Sequence, residues 1–203
     1  MASVYQLKSR FQGLLRPLVA GLAARGLTAN QVTLAAAALS LIMGACLAAF
    51  PEQRWPWLSL PLFFFFRMAL NAVDGMLARE HNQKSRLGTL LNELGDVIAD
   101  TALYLPFALL PGAFGWLVAL VCIFAVISEM TGIAGLQIGA SRRYDGPMGK
   151  SDRALAFGTL GLAIGLGLPT GIWLNAAFAV LLLLLCRTIY NRAARALAEG
   201  TAP

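Results

Sequence analysis

Apolar residues along this chain come in long blocks separated by short polar links. Residues 31–50, about 57–78, 87–110 and 113–139 each supply roughly the ~20 apolar positions that a helix needs to cross a bilayer. The block 154–186 is long enough for two crossings, broken at Gly167-Leu168-Pro169-Thr170-Gly171. The pattern predicts an all-α integral membrane protein with six transmembrane helices. Residues 4–24 differ: Val4, Leu7, Phe11, Leu14, Leu15, Leu18 and Leu22 recur at spacings of three and four, with Lys8, Arg10 and Arg16 off that stripe. Such a helix lies in the membrane interface with its cations toward lipid phosphates. Gly26 ends it, and Thr28 or Asn30 caps the next helix. Trp55 and Trp57, beside the turn from Pro51 to Pro56, are expected in an interfacial aromatic belt.

Composition agrees with a membrane domain, since 58% of residues are hydrophobic and 13% are charged. Residues 1–203 read as one unit: an interfacial helix over 1–26, a six-helix core over 27–186 and a cytoplasmic tail over 187–203. The net charge of +6 could point to nucleic acid, but its distribution points to a membrane face. Arg54 is the only Lys or Arg in the three links on one side; apart from Arg67 within a crossing, the others fall on the side of the termini. Positive residues mark the cytoplasm, which puts both termini and the signature on the cytoplasmic side of a membrane expected to be a bacterial inner membrane. Cys46, Cys122 and Cys186 sit in apolar runs and read as small hydrophobes. The start lacks the uninterrupted apolar stretch of a cleavable signal. His81 has no second His or Cys nearby, so zinc is not expected.

Against this background the stretch Asn71–Asp100 is unusually polar. Asn71 and Asp74 stand at i and i+3, and Asn92, Asp96 and Asp100 follow at i+4 steps, so each set lines one helix face. Folded back at the link Glu80–Arg86, the two stripes would enclose an anionic pocket lined by oxygen. Ionised groups inside apolar segments are costly and mark function. Arg67 needs a partner for the same reason, and Asp100 and Glu129 are the acids at comparable depth.

The run Asn71-Ala72-Val73-Asp74-Gly75-Met76-Leu77-Ala78-Arg79, followed at fixed spacing by Gly88, Asn92 and Asp96, resembles the signature of the CDP-alcohol phosphotransferase family. Asparagine stands at 71 and 92 where that signature has aspartate. The resemblance implies a homodimeric membrane enzyme in which Asp74, Asp96, Asn71 and Asn92 hold one or two Mg2+ or Mn2+ ions. It implies Asp96 as the general base, with Asp74 beside it in catalysis. It places Gly75, Ala78, Arg79 and Gly88 around the CDP moiety, helped by Thr28 and Asn30. Without the two aspartates, weaker metal binding or a single ion is expected; Glu93 or Asp100 could supply part of the charge.

Arg142, Arg143, Lys150 and Arg153 in the loop after the fourth crossing suit a phosphate or carboxylate on the acceptor. The leading reading is therefore a transferase moving a phosphatidyl group from CDP-diacylglycerol to a small, anionic alcohol, releasing CMP. A CDP-aminoalcohol donor with a lipid alcohol acceptor would use the same signature. A non-catalytic membrane protein that binds CDP-lipid is the alternative from another class.

Overall fold

The computed structural model describes residues 4–200, with side chains from Phe11 onward, so the side chains of the stripe residues Val4 and Leu7 and of the cations Lys8 and Arg10 lie outside it, as do the last three residues of the tail. Its helices are α1 (Val4–Ala24), α2 (Ala29–Ala49), α3 (Arg54–Glu80), α4 (Arg86–Tyr104), α5 (Gly115–Ala134), α6 (Lys150–Gly165) and α7 (Ile172–Glu199). Short 3-10 segments follow α4 (Leu105–Leu109) and α5 (Gly135–Ile138). Among the described residues there is no strand. Four helical segments are long and apolar enough to cross a membrane: Ala29–Ala49, Arg54–Glu80, Gly115–Ile138 and Ile172–Glu199. The other two expected crossings are helical but depart from that standard. α4 carries Glu93, Asp96 and Asp100, and α6 has 16 residues. The segment 187–199, expected as a tail, continues α7.

The chain divides into two compact units, residues 1–42 with 62–99 and residues 43–61 with 100–203. In the first unit Val19 of α1, Ala29 and Val32 of α2, and Val73, Met76 and Leu77 of α3 form a buried cluster. The α1 stripe therefore has two destinations. Leu15 and Leu22 pack on this core, while Leu14 and Leu18 stay exposed. Arg16, expected to face lipid phosphate, instead grips Glu80 with two hydrogen bonds of 3.1 and 3.2 Å.

Local sequence sets the turn between α1 and α2. Gly26 takes φ +78°, and the Leu27 N–H donates to Leu22 O while the Gly26 N–H donates to Ala23 O, a Schellman stop that favours glycine. Two residues on, Thr28 Oγ1 accepts from the Gln31 N–H and Gln31 Oε1 accepts from the Thr28 N–H, a reciprocal capping box. Thr28 is the cap of α2, and Asn30 is left for another task.

The second unit is built on aromatic rings. Tyr104 stacks on Phe157 at 3.8 Å between centroids, and Phe107 meets Trp57 and Phe157 edge-on at 4.7 and 5.2 Å. Trp57, expected in an interfacial belt, is fully buried here, with its indole N–H donating to Pro51 O; Trp55 keeps the exposed position. The ring fills a core and its one polar atom is satisfied by the preceding turn, which is how a buried indole is usually accommodated.

Candidate active site

Asp74 and Asp96 lie in the first unit, on α3 and α4; α2 supplies a partner for Asp74 and α3 one for Asp96. Asp74 is 6% exposed, and its Oδ2 accepts a 2.9 Å hydrogen bond from Thr33 Oγ1. Thr33 also lies 3.0 Å from Ala29 O. A hydroxyl has one proton, and an ionised carboxylate attracts it more strongly than a carbonyl does. On its other side, Thr33 Cγ2 sits 4.0 Å from where a Cβ on Gly95 would be, next to Asp96 in sequence. Asp96 is half-buried, with Arg67 Nη2 at 3.5 Å from its Oδ1 and 3.3 Å from its backbone oxygen. The cation inside α3 thus meets a signature acid, Asp96.

Asn30 faces the start of α4. Its Oδ1 lies 2.6 Å from the place a Gly88 Cβ would take, closer than any real Cβ contact, so Gly88 is required for this approach. The Gly88 N–H is itself taken by Ser85 Oγ at 2.9 Å, which caps α4. Gly75 leaves room for the Arg79 guanidinium, whose nitrogens lie 3.0 and 3.2 Å from the would-be Cβ. Arg79 is exposed, Ala78 packs on the core of the unit, and Asn71 and Asn92 are half-buried. Gln83, which the sequence offered no reason to single out, ties the link to α2. Its Oε1 accepts from the Ala29 N–H at 2.6 Å and its amide donates to Leu27 O.

Among the described residues no group of three or more His, Cys, Asp or Glu side chains is gathered as a metal centre. The donor set the signature offers is two carboxylates, Asp74 and Asp96, with the amide oxygens of Asn71 and Asn92. All four are hard oxygen donors, a set that fits one Mg2+ or Mn2+ completed by phosphate oxygens or water.

In the second unit the basic loop is occupied with internal acids. Arg153, at 2% exposure, is fully buried; its Nη2 contacts Asp100 Oδ2 at 2.9 Å and Glu129 Oε1 at 3.0 Å. Arg142 approaches the other oxygen of Glu129 at 3.6 Å. Arg143 pairs with Asp145 at 2.8 Å and with Glu199, and Lys150 is half-buried at the start of α6. The Arg143 guanidinium holds the Asp145 carboxyl below the usual carboxylate range. Arg192, which in sequence looked like part of a solvated tail, is 1% exposed, donates to Ser128 O and stands 3.4 Å from Glu129 Oε1. It lies beyond the apolar block 154–186, and nothing local revealed that α7 would run past it.

A profile of the CDP-alcohol phosphatidyltransferase family matches residues 26–190. The chain belongs to that family. Membership makes it a membrane transferase of phospholipid biosynthesis. Among CDP-alcohol phosphatidyltransferases and their relatives, the inner membrane protein YnbA of Escherichia coli K12 is 48% identical over 190 residues, covering 94% of each chain. A phosphatidylinositol phosphate synthase of Streptomyces avermitilis is 30% identical over 190 residues, covering 86% of this chain and 76% of that one. In fold, the crystal structure of Mycobacterium tuberculosis phosphatidylinositol phosphate synthase (PgsA1) with CDP-DAG bound matches with a TM-score of 0.75 at 18% identity, over 92% of this chain and 94% of that one. A second structure of the same enzyme, with manganese and citrate, gives the same score.

Proposed function

We propose that this protein transfers the phosphatidyl group of CDP-diacylglycerol to a small anionic alcohol and releases CMP. The observation that carries the reading is the three-helix setting of the signature acids. Thr33 of α2 holds Asp74 of α3, and Arg67 of α3 holds Asp96 of α4. The likeness to phosphatidylinositol phosphate synthases, one of which has been crystallised with CDP-DAG, supports the donor.

In this reaction the acceptor oxygen forms a bond to the phosphorus that bears diacylglycerol. The pyrophosphate bond to that phosphorus breaks, its electron pair leaves with CMP, and the hydroxyl proton goes to a carboxylate. Asp96 is that base, oriented by Arg67. Asp74, Asp96 and the amides of Asn71 and Asn92 would hold one Mg2+ or Mn2+. When bound, the ion neutralises charge on the pyrophosphate oxygens. Arg79 lies against Gly75 and offers its guanidinium to the same phosphates, while Gly88, Ala78, Thr28 and Asn30 shape the room for the cytidine. Arg142, Arg143 and Lys150 draw the anionic acceptor, and the buried Arg153 pairs with Asp100 and Glu129.

Six crossings complete the topology if Arg86–Leu109 and the shorter α6 also span, with both termini and the signature in the cytoplasm and two copies forming a dimer. The test is CMP release by purified protein given CDP-diacylglycerol, Mn2+ or Mg2+ and a panel of alcohols. Turnover should fall at least a hundredfold in Asp74→Ala and in Asp96→Ala. Turnover that survives both substitutions, or a wild-type protein with no affinity for any CDP-linked compound, rules the proposal out.

A further inference from the structure

A cavity of about 440 Å³ opens in the second unit among the turns before α3, after the 3-10 helix Leu105–Leu109, and before α7. Its lining includes Glu52, Gln53, Arg54, Trp57, Gly167 and Thr170. Two helices long and apolar enough to cross a membrane, α3 and α7, begin beside it, which puts it at the bilayer surface. Exposed Phe50 and Trp55, with ring centroids 5.9 Å apart, and exposed Leu168 and Ile172 flank it as interfacial side chains do.

The chemistry of the lining is specific. The Arg54 guanidinium lies over the backbone of Gly167, with its carbon 3.0 Å and its nitrogens 3.1 and 3.2 Å from where a Cβ would be. Gly167 also has φ +95°, so a glycine is needed there twice over, for the backbone and for the guanidinium. Glu52, two residues away, lines the same cavity. Both side chains are exposed, and neither has an ion pair or hydrogen bond among the described residues. Behind them the wall is fixed, because Trp57 is fully buried and bonded to Pro51 O. A cation and an anion facing one cavity without closing on each other complement a ligand that carries both signs.

We propose that this cavity binds the headgroup of a zwitterionic aminophospholipid. The phosphate would take hydrogen bonds from Arg54, and the primary ammonium would donate to Glu52. The acyl chains would lie along the exposed apolar side chains beside it. A trimethylated ammonium has no N–H to give Glu52, and an anionic headgroup without an amine meets an unmatched carboxylate. The site therefore distinguishes phosphatidylethanolamine from phosphatidylcholine and from phosphatidylglycerol.

The full-length protein, purified in detergent, is titrated with equimolar phosphatidylethanolamine, phosphatidylcholine and phosphatidylglycerol, and retained lipid is counted by native mass spectrometry. Phosphatidylethanolamine should be favoured about fivefold or more over either competitor. Glu52→Gln should remove that preference over phosphatidylglycerol, and Arg54→Gln should lower retention of every phospholipid about fivefold. CMP release should be unchanged in both variants, which separates this proposal from the catalytic one. Equal retention of the three lipids by wild type overturns it, as does a preference that survives both substitutions. Binding of soluble phosphoethanolamine without any lipid retention would assign the cavity to a soluble ligand and also overturn it. The wild-type competition needs no variant to fold.

Discussion

Thr33→Val is the substitution that probes the candidate site most directly. Valine keeps the shape of threonine, including the methyl 4.0 Å from the Gly95 position, and removes only the hydroxyl. What is lost is a 2.9 Å O–H donor to a carboxylate that is 6% exposed. A hydrogen bond to a charged group contributes about 1.5–3 kcal/mol, and at this burial water does not easily replace it. Two effects oppose each other. Without the donor the carboxylate oxygens carry more charge for a cation, but Thr33 no longer helps to hold the group in one orientation. For buried ligands the orienting effect usually wins, with losses of about 10–100-fold in metal affinity.

The assay is Mn2+ binding, followed by the loss of the free-ion electron paramagnetic resonance signal, in purified wild type, Thr33→Val and Thr33→Ser. Affinity should drop about 10–100-fold in the valine variant and return in the serine variant, which restores the donor. Thermal unfolding should lose no more than about 1.5–3 kcal/mol, the contribution of one hydrogen bond to a charged group. Unchanged Mn2+ affinity in Thr33→Val would mean that the Thr33 hydroxyl donates to Ala29 O instead, and the reasoning about Asp74 would fail.

Four further outcomes follow from the geometry. Gly75→Ala meets the far end of a flexible side chain, Arg79, at 3.0 Å, so it should leave unfolding unchanged but displace the cation and lower CMP release several-fold in a turnover assay. Gly44→Ala places a Cβ 2.2 Å from the backbone oxygen of Ala102, which cannot rotate away, and should cost about 1–3 kcal/mol or more in thermal unfolding. Gly21→Ala on α1, with nothing within 4 Å of its Cβ, should instead stabilise by about 0.4–1 kcal/mol. Arg143 depresses the Asp145 carboxyl, so the stability this pair contributes is present above the unfolded-state pKa of about 3.9 and lost as pH falls through the lower folded value. The melting temperatures of wild type and Asp145→Asn should therefore differ at pH 6 and converge as the pH is taken below about 4.

Much of the fold could be read from period and punctuation. Gly26, and Thr28 or Asn30, marked the stop of α1 and the start of α2 because a left-handed stop and a reciprocal cap, which falls on Thr28, are local events settled within four residues. The signature spacing singled out Asp74 and Asp96 for the same reason, since i+3 and i+4 steps define a helix face without knowledge of a neighbour. Partner choice could not be read this way. Arg16 with Glu80, Asn30 with Gly88 and Thr33 with Asp74 are separated by more than forty residues, and no local pattern encodes which face meets which. Arg153 and Arg192 were misplaced for a related reason. In sequence each sits where an apolar block gives way to polar residues, yet both guanidiniums are buried against Glu129.

The glycines show why a signature should be judged by what its small residues touch. Gly44 and Gly165 press against the backbone of another helix, Ala102 O at 2.2 Å and the Leu58 N at 2.6 Å from the would-be Cβ. Those are packing positions, and any side chain there forces two helices apart. Gly75 and Gly88 belong to the signature and behave differently, for each makes room for the polar end of a side chain, the Arg79 guanidinium and the Asn30 amide. If the signature served only to bring helices together, its glycines would meet backbone as the other two do. That they instead seat a cation and an amide, beside Asp74 and at the start of α4, accords with the phosphate-binding role proposed for them. The same contrast gives opposite expectations for the same chemical change: alanine at 44 acts on folding, whereas alanine at 75 acts on turnover.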